Sequence, residues 1–415
     1  MQSSRMEVDV YHYNAAISAC GKGGQWPLAL ICLSLMPEAR VVPDEITYNA
    51  AISACSTGGQ WQLTLNLLSL MPAANMVPDE ITYNAAINSC ARGGQWQLAL
   101  NLLSLMPEIR VVPDKITYNS AMSAFEKGGQ WQLAQNFLSL MPLARVVPNE
   151  ITSNAAISAC SKGGQWQLAL KLVSLMPEAA LVPDTITYNA AICACEKGGH
   201  WQLSLNLLSL MPEAGVVPDE ITYNAAMSAC EEGGQWPLAL ILLSLMPEAR
   251  VVPDKISYNA AISACSKGGD WQLALNLLSL MPKARVVSDQ LTYNAFIRAC
   301  KNEGQWQLSF NLLSQMPDAR VVPDQITYNA AIGTCEKGGQ WQLALNSLSL
   351  MPEARFSPDE ITCSAAISAC SKGGQWQLAL NLLILFPEAS VLQDKIIYNA
   401  AISACERAAA SSTWH

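Results

Sequence analysis

Apolar and polar positions follow one pattern that returns every 35 residues from residue 10 to residue 394. In the repeat 80–114, which reads EITYNAAINSCARGGQWQLALNLLSLMPEIRVVPD, the first half places Ile81, Ile87 and Cys90 at helical spacing. The second half is apolar from Leu98 almost without interruption to Met106. The pattern predicts two helices in each repeat.

Residues at the expected helix ends support this prediction. Asp79 is a good N-cap for the first helix, and Glu80 complements the positive end of its dipole. The pair Gly93-Gly94 ends that helix, with one glycine free to adopt the left-handed conformation. Pro107 disfavours helix at the residue before it, so the second helix is expected to stop near Leu105 or Met106.

The period also predicts how the chain is divided. A nine-residue segment (1–9) precedes the repeats and a tail (408–415) follows them, and the twelfth repeat (395–407) contains a first helix only. The eleven complete repeats are 10–44, 45–79, 80–114, 115–149, 150–184, 185–219, 220–254, 255–289, 290–324, 325–359 and 360–394.

One helical hairpin cannot bury a second helix that is apolar nearly all round, so neighbours are expected on several sides of it. Stacked hairpins supply them, which predicts an all-α fold, a right-handed α-solenoid superhelix. Trp96 and its equivalents, from Trp26 to Trp376, are expected to wedge the two helices together.

Composition narrows the class of protein. Apolar residues make up 51% and charged residues 14%, which is typical of an ordered chain, and no apolar run reaches the length of a membrane span. Eleven of the fourteen cysteines occupy one repeat position, where Phe125 replaces cysteine in the fourth repeat, so packing rather than disulfide bonding is expected. No cysteine or histidine spacing indicates a metal site, and no cofactor is expected.

A polar residue interrupts the apolar face of the first helix. Asn recurs there at one position of almost every repeat, at residues 14, 49, 84, 119, 154, 189, 224, 259, 294, 329 and 399.

The pattern [IV]-T-Y-N-x-x-I-x-x-[CF]-x-[KR]-x-G, a second helix and V-x-P-D at a 35-residue period resemble the pentatricopeptide repeat family, in its regular P-type form. The resemblance covers residues 10–405. It implies binding of single-stranded RNA in the groove of the superhelix, one base for each repeat.

The resemblance also assigns residues. Two positions read each base, the recurrent Asn and the last residue of the same repeat: Asn14/Asp44, Asn49/Asp79, Asn84/Asp114, Asn119/Asn149, Asn154/Asp184, Asn189/Asp219, Asn224/Asp254, Asn259/Asp289, Asn294/Asp324, Asn329/Asp359 and Ser364/Asp394. The second residue of each repeat clamps bases from both faces: Tyr11, Ile46, Ile81, Ile116, Ile151, Ile186, Ile221, Ile256, Leu291, Ile326, Ile361 and Ile396. The basic residue before the glycine pair contacts phosphate: Lys22, Arg92, Lys127, Lys162, Lys197, Lys267, Lys337 and Lys372.

Side-chain chemistry agrees with such a code. Aspartate only accepts hydrogen bonds, so it suits uracil or guanine, which present a ring N–H, whereas Asn can donate to cytosine or adenine. At the first position Asn reaches a small pyrimidine, and the shorter Ser leaves room for a purine. With the N-terminus toward the RNA 5′ end, as the resemblance implies, the expected target is U-rich, 5′-UUUCUUUUUUG-3′.

Other interpretations stay open. An Asp after Pro caps a helix in any protein, and Asn is tolerated in a first turn. The formal net charge of −9 is unusual for a nucleic-acid binder, so the alternative is a scaffold that holds a peptide in its groove.

No catalytic pattern is present, so an enzyme is not expected. The protein would act in RNA stabilisation, processing or translation, and protein partners could be recruited to the RNA. The family implies a mitochondrion or chloroplast, although no presequence is visible, and cytoplasm or nucleus stays open.

Overall fold

The computed structural model describes residues 9–353, 356–385, 398–399 and 401–406, and these contain helices and turns but no strand. This confirms the all-α prediction. Helices alternate between the two positions of each repeat. The first helices are α1 (Val10–Lys22), α3 (Glu45–Thr57), α5 (Glu80–Arg92), α7 (Lys115–Lys127), α9 (Glu150–Lys162), α11 (Thr185–Lys197), α13 (Glu220–Glu232), α15 (Lys255–Gly268), α17 (Gln290–Glu303), α19 (Gln325–Gly338) and α21 (Glu360–Lys372).

The second helices all begin at a tryptophan. They are α2 (Trp26–Leu35), α4 (Trp61–Ala73), α6 (Trp96–Glu108), α8 (Trp131–Leu140), α10 (Trp166–Leu175), α12 (Trp201–Glu213), α14 (Trp236–Glu248), α16 (Trp271–Leu280), α18 (Trp306–Gln315), α20 (Trp341–Glu353) and α22 (Trp376–Leu385). In five of them the proline lies inside the helix, so the expected stop before proline is wrong there. Proline in the last turn removes only one helical hydrogen bond, which explains why the helix continues.

The chain forms two compact bodies. One comprises Met1–Gly198 with Glu213–Val216, and the other comprises Gly199–Pro212 with Val217–His415. Within each body, first helices of consecutive repeats pack on one another, and each second helix packs on the first helix of its own repeat and on that of the next. Each body is therefore a solenoid of stacked hairpins.

This packing leaves the second helices as an outer layer. Leu28, Ile31 and Leu35 of α2 are exposed, and so are the equivalents of Leu35 in most repeats. The expectation of neighbours on several sides of the second helix is therefore wrong. First helices cover one face of it, and among the described residues no element covers the opposite face.

Capping explains where the first helices begin. The Asp44 side chain accepts a hydrogen bond from the backbone N–H of Thr47. In turn, the Thr47 hydroxyl accepts a hydrogen bond from the backbone N–H of Asp44. The same reciprocal cap, a capping box, occurs at the start of each of the first helices α1 to α21. The predicted Asp caps are confirmed.

The two glycines after the first helix have different roles. The second, such as Gly59 with φ of 67°, adopts the left-handed conformation that was expected of one of the pair. The first, Gly58, faces the preceding repeat, where a Cβ atom would lie 2.3 Å from Trp26 Cδ1. The tryptophan therefore packs against the end of the first helix of the next repeat.

The recurrent cysteine belongs to the core. All fourteen cysteines are free, and most are buried. Burial raises the pKa of Cys90 and of most equivalent thiols to about 11 or 12, so these thiols are protonated at neutral pH. Phe125, which replaces this cysteine, meets Phe137 edge to face at 4.8 Å between ring centroids. In the part of the chain that is described, no helix has the length and apolarity to cross a membrane.

Candidate nucleic-acid interface

The two residues assigned to base reading meet in the structure. Asn14 Nδ2 donates to Asp44 Oδ1 at 3.1 Å, and the hydroxyl of Thr47, in the next repeat, donates to Asn14 Oδ1 at 2.6 Å. The Asn–Asp hydrogen bond recurs at 3.1–3.3 Å in Asn49/Asp79, Asn84/Asp114, Asn154/Asp184, Asn224/Asp254, Asn259/Asp289, Asn294/Asp324 and Asn329/Asp359. Asn189 is buried on α11, and Asp219 caps α13.

This network determines which polar atoms remain for a ligand. The Asn oxygen is used by the hydroxyl of the next repeat, and one of its two N–H groups is used by Asp Oδ1. Asp Oδ1 also receives the capping bonds. A second amide N–H is left in most of these repeats, and Oδ2 stays free of further partners in some of them, such as those that end in Asp44, Asp79 and Asp184. Each such repeat therefore offers one donor beside one acceptor.

Two pairs near the C-terminal end depart from this arrangement, because the Asn amide reaches both carboxylate oxygens. Asn294 Nδ2 lies 3.2 Å from Oδ1 and 3.4 Å from Oδ2 of Asp324. Asn329 Nδ2 lies 3.3 Å from Oδ1 and 3.0 Å from Oδ2 of Asp359. The predicted code treats Asp324 as equal to every other Asp, whereas its surroundings in the structure differ from those of most others. The outer oxygen of Asp324 is shared with Asn294, so a base would have to compete with the amide for it.

The repeat 115–149 differs in its chemistry. Asn149 Oδ1 accepts from the backbone N–H of Thr152 at 3.0 Å and from its hydroxyl at 2.6 Å. The same hydroxyl lies 2.7 Å from Asn119 Oδ1, so its single proton is shared between the two amide oxygens. With both amide oxygens engaged, the groups that remain are the two amide nitrogens, which are donors.

The last predicted pair is only partly described. Ser364 lies half-buried on α21. Asp394, and with it Ile396 of the clamping row, lies outside the described residues.

Hydrogen bonds hold the capping aspartates ionised. Partial burial by itself raises the pKa of Asp44, but hydrogen bonds from Thr47 and Asn14 outweigh it, so the pKa lies below its ordinary value. The pKa is lowered by the same balance in Asp79, Asp114, Asp184, Asp254, Asp289 and Asp359. At neutral pH each is a carboxylate and can only accept.

The residues of the predicted clamp form an exposed apolar row. Ten of them, from Ile46 to Ile361, are 57–67% exposed, and Tyr11 is 84% exposed. Each lies three residues before the first code residue of its repeat, on the same helix. Large exposed side chains at one helical position leave apolar surface free for a ligand.

One cavity shows how two members of this row lie around a reading position. Ile326, Asn329 and Ile361, from consecutive repeats, line a cavity of about 360 Å³. Lys267, Arg298 and Lys301 line the same cavity. Apolar, amide and cationic groups thus converge on a single space.

The predicted phosphate residues are exposed but several have protein partners. Lys162 pairs with Glu126 at 3.3 Å, Lys372 with Glu336 at 3.2 Å, and Lys267 with both Glu231 and Glu232. Arg92 and Lys337 instead donate to backbone oxygens of the preceding repeat, at 3.0 Å each. These cations therefore join consecutive repeats, which reduces the positive charge they offer to a ligand.

Sequence reasoning missed two sets of residues. The buried Thr47 and its equivalents connect each Asn to the next Asp cap, and the D-x-x-T spacing of a capping box was the available signal. Arg298 and Lys301 line the cavity without lying at the predicted phosphate position, which Asn302 occupies in that repeat. Only a comparison of that repeat with the others could have indicated them.

Comparison with known proteins agrees with this architecture. A model described as "PPR repeat family" matches residues 43–92, 78–127, 148–197, 183–232, 253–302 and 288–337. A "Pentatricopeptide repeat domain" model matches residues 1–57, and a "PPR repeat" model matches 116–146, 221–251 and 361–390. No curated protein matches the sequence significantly.

Solved structures match this chain at low identity. The crystal structure of the pentatricopeptide repeat protein PPR10 from maize has a TM-score of 0.58 and 22% identity, over 97% of this chain and 62% of that one, so this chain spans less than two thirds of it. PPR10 in complex with an 18-nt psaJ RNA element has a TM-score of 0.49 and 20% identity, over 97% of this chain and 67% of that one. Yeast Rmd9p in complex with a 16-nt target RNA has a TM-score of 0.43 and 9% identity, over 99% and 96%. Because the family models match more than half of the sequence, the chain belongs to the pentatricopeptide repeat family.

Proposed function

We propose that this protein binds single-stranded RNA and reads one base with each repeat. The observation that carries the proposal is the Asn–Asp hydrogen bond, which places an amide donor beside a carboxylate acceptor in most repeats. The exposed Ile row flanks these groups along the same helices, where a base would lie between two apolar side chains.

The remaining donor and acceptor support uracil as the preferred base. Uracil presents a carbonyl oxygen next to a ring N–H, which complements one amide N–H and one carboxylate oxygen. Guanine presents the same pair, but the Asn side chain leaves less room for a purine. Cytosine and adenine present a ring lone pair, which a carboxylate repels.

Two repeats carry other code residues and are expected to prefer other bases. In repeat 115–149, two amide donors suit the ring nitrogen and carbonyl oxygen of cytosine. Ser364 is shorter than Asn and would admit guanine. The proposed target remains 5′-UUUCUUUUUUG-3′, read from the N-terminal repeat.

Binding alone is the proposed activity. Among the described residues no group of three or more His, Cys, Asp or Glu side chains could hold a metal ion. By occupying a U-rich site, the protein would protect a transcript, keep it unfolded, or recruit other factors to it. It would thereby act in RNA stabilisation, processing or translation. The family places such work in mitochondria or chloroplasts, and that location belongs to the proposal.

Homopolymers give the first test. The full chain is titrated with U11, A11 and C11 RNA in a mobility-shift assay at one salt concentration. Preferential binding of U11 is expected. Equal binding of all three, or none, would contradict the proposal and favour the alternative, a scaffold for a peptide, which the net charge of −9 would suit if the peptide is basic.

Changing the code gives a sharper test. The triple variant Asn224→Thr, Asn259→Thr and Asn294→Thr should prefer guanine over uracil at nucleotides 7–9, because the shorter side chain admits a purine. A change of about 1–3 kcal/mol per position is expected. The control carries the same substitutions at three exposed second-helix positions, Asn206, Asn276 and Asn311, and should keep the preference for uracil.

A further inference from the structure

The repeat 290–324 departs from a contact that joins first helices at several repeat junctions. At these junctions a serine donates to a glutamate of the preceding repeat, as Ser158 does to Glu126 at 2.9 Å and Ser263 to Glu231 at 2.6 Å. In this repeat Arg298 stands at the serine position and Lys301 at the glutamate position. Two cations therefore replace a neutral donor and an anion.

The following repeat is adapted to Lys301. Gly333 occupies the position that is serine in seven other complete repeats: Ser18, Ser53, Ser123, Ser158, Ser228, Ser263 and Ser368. A Cβ atom on Gly333 would lie 2.6 Å from Lys301 Cε and 2.8 Å from its Nζ. The missing side chain therefore provides the space in which the lysine lies.

Neither new cation is neutralised by the protein. The side chains of Arg298 and Lys301 make no hydrogen bond or ion pair among the described residues, in contrast to Lys267, which pairs with Glu231 and Glu232. The carboxylate of the following repeat, Glu336, is already engaged by Ser368 at 2.9 Å and by Lys372 at 3.2 Å. Two unpaired cations in a chain of net charge −9 indicate an anionic ligand.

The cavity identifies which anion fits. Arg298 and Lys301 line the same space as Ile326, Asn329 and Ile361, which are the proposed clamp and reading residues of repeat 325–359. An anion here would lie beside a base held between the two isoleucines. The phosphodiester of a nucleotide is the anion that is covalently joined to such a base.

We propose that Arg298 and Lys301 form a phosphodiester-binding site that anchors bound RNA at the tenth nucleotide, the one assigned to repeat 325–359. The inference rests on the proposed function and deepens it. Nine repeats carry the same Asn–Asp pair, so a uniform uracil tract could bind at several offsets. A single strong phosphate contact makes one register preferred.

A methylphosphonate scan tests this site. One uncharged methylphosphonate linkage is placed at each successive position of the 11-nt target, and each RNA is titrated against the full wild-type chain. Affinity should fall roughly tenfold at the linkages flanking nucleotide 10 and much less elsewhere, because a charge-assisted hydrogen bond is removed there. In the variant Arg298→Ser/Lys301→Ser this maximum should disappear.

A charge-matched control separates a local site from overall charge. Arg285→Ser/Arg320→Ser removes two exposed cations from turns after second helices of the same body. It should keep the maximum at nucleotide 10. The site variant should also lower the slope of log affinity against log salt by roughly 0.7 for each phosphate that is no longer bound.

The outcomes separate the two proposals. A flat scan in the wild-type chain, with uracil still preferred, would overturn the anchor and leave the proposed function standing. Absence of binding to every RNA would overturn both. Saturable binding of inorganic pyrophosphate that needs Arg298 and Lys301, together with a flat scan, would assign the cavity to a free phosphate and overturn the RNA anchor.

Discussion

At the scale of single residues, equal code pairs do not have equal surroundings. In some repeats the first residue reaches the outer oxygen of the Asp that ends the repeat. Lys255 Nζ lies 2.8 Å from Asp289 Oδ2, and Gln325 Nε2 donates to Asp359 Oδ2 at 2.9 Å. Where the first residue is Glu80, a hydrogen bond to the Asp114 carboxylate raises the pKa of Glu80. The acceptor offered to a base therefore differs from repeat to repeat.

Replacing Lys255 by Met should raise the pKa of Asp289. Partial burial raises that pKa, but the hydrogen bonds from Lys255 and Thr292 outweigh it and lower the pKa to about 2. Without the ammonium group the pKa should move up toward the ordinary aspartate value, about 3.9. Carboxyl-carbon NMR of labelled aspartate during an acid titration measures it.

The matched control is Lys115→Met. Lys115 also begins a repeat, but that repeat ends in Asn149, so no carboxylate responds. Asp289 should titrate in this control as in the wild-type chain. An unchanged Asp289 pKa in the Lys255 variant would contradict the assigned pairing.

Prediction from sequence succeeded for residues whose role is local. The Asp cap depends on its neighbours in the chain and could be predicted. The hydroxyl of Thr47 also bonds to Asn14, 33 residues away, and that contact depends on how repeats stack. Arg298 and Lys301 depend on a space left by Gly333 in another repeat, which no local pattern shows.

At the scale of helices, stacking depends on a close approach between tryptophan and glycine. A Cβ atom on Gly163 would lie 2.3 Å from Trp131 Cδ1. Sequence alone assigned the glycine pair to ending a helix. Only the structure separates the glycine that needs a left-handed backbone from the one that must lack a side chain.

Gly163→Ala should destabilise the chain by about 1–3 kcal/mol, because the new methyl group overlaps the tryptophan ring. Urea unfolding followed by circular dichroism measures the change. Gly23→Ala is the control, since Gly23 is the equivalent glycine of the first repeat and its φ is −81°. No tryptophan lies within 4 Å of its added Cβ. Equal losses of unfolding free energy in the two variants would contradict the role of the Trp131–Gly163 contact.

The limits of helices were harder to predict than their existence. Proline was expected to stop the second helix, yet α6 continues through Pro107 to Glu108. The next turn accommodates this, because the backbone N–H of Val111 donates to the Met106 oxygen at 2.9 Å. This bond closes the end of the helix.

At the scale of the whole molecule, the same local interaction is repeated along the array. At the junctions between repeats, seven capping aspartates have a lowered pKa, and each supports a helix start that joins two repeats. A period of 35 residues was sufficient to predict the stacked fold. The period does not show which sets of equivalent residues face a ligand. Equivalent residues share a position in the repeat and differ only in the residues that the next repeat packs against them.

Acid should unfold the array over a narrow pH range. A lowered folded pKa means that the unfolded chain binds protons first, so stability is full above about pH 4 and is lost as pH falls through the folded values. The thermal midpoint, followed by circular dichroism, should be nearly constant from about pH 7 to about pH 5 and should fall steeply from about pH 4 to about pH 2. A midpoint that stays constant across that acid range would contradict this role of the caps.

The direction of the tryptophan contact has a consequence for synthesis. Most of these tryptophans pack on a glycine of the repeat that follows, so a hairpin is completed by the next one to be made. A chain leaving the ribosome N-terminus first would have one incompletely packed hairpin at its growing end. Every earlier hairpin would already be covered by the hairpin that follows it. Translation would then lengthen the folded array one hairpin at a time, with little apolar surface open to chaperones or to other nascent chains.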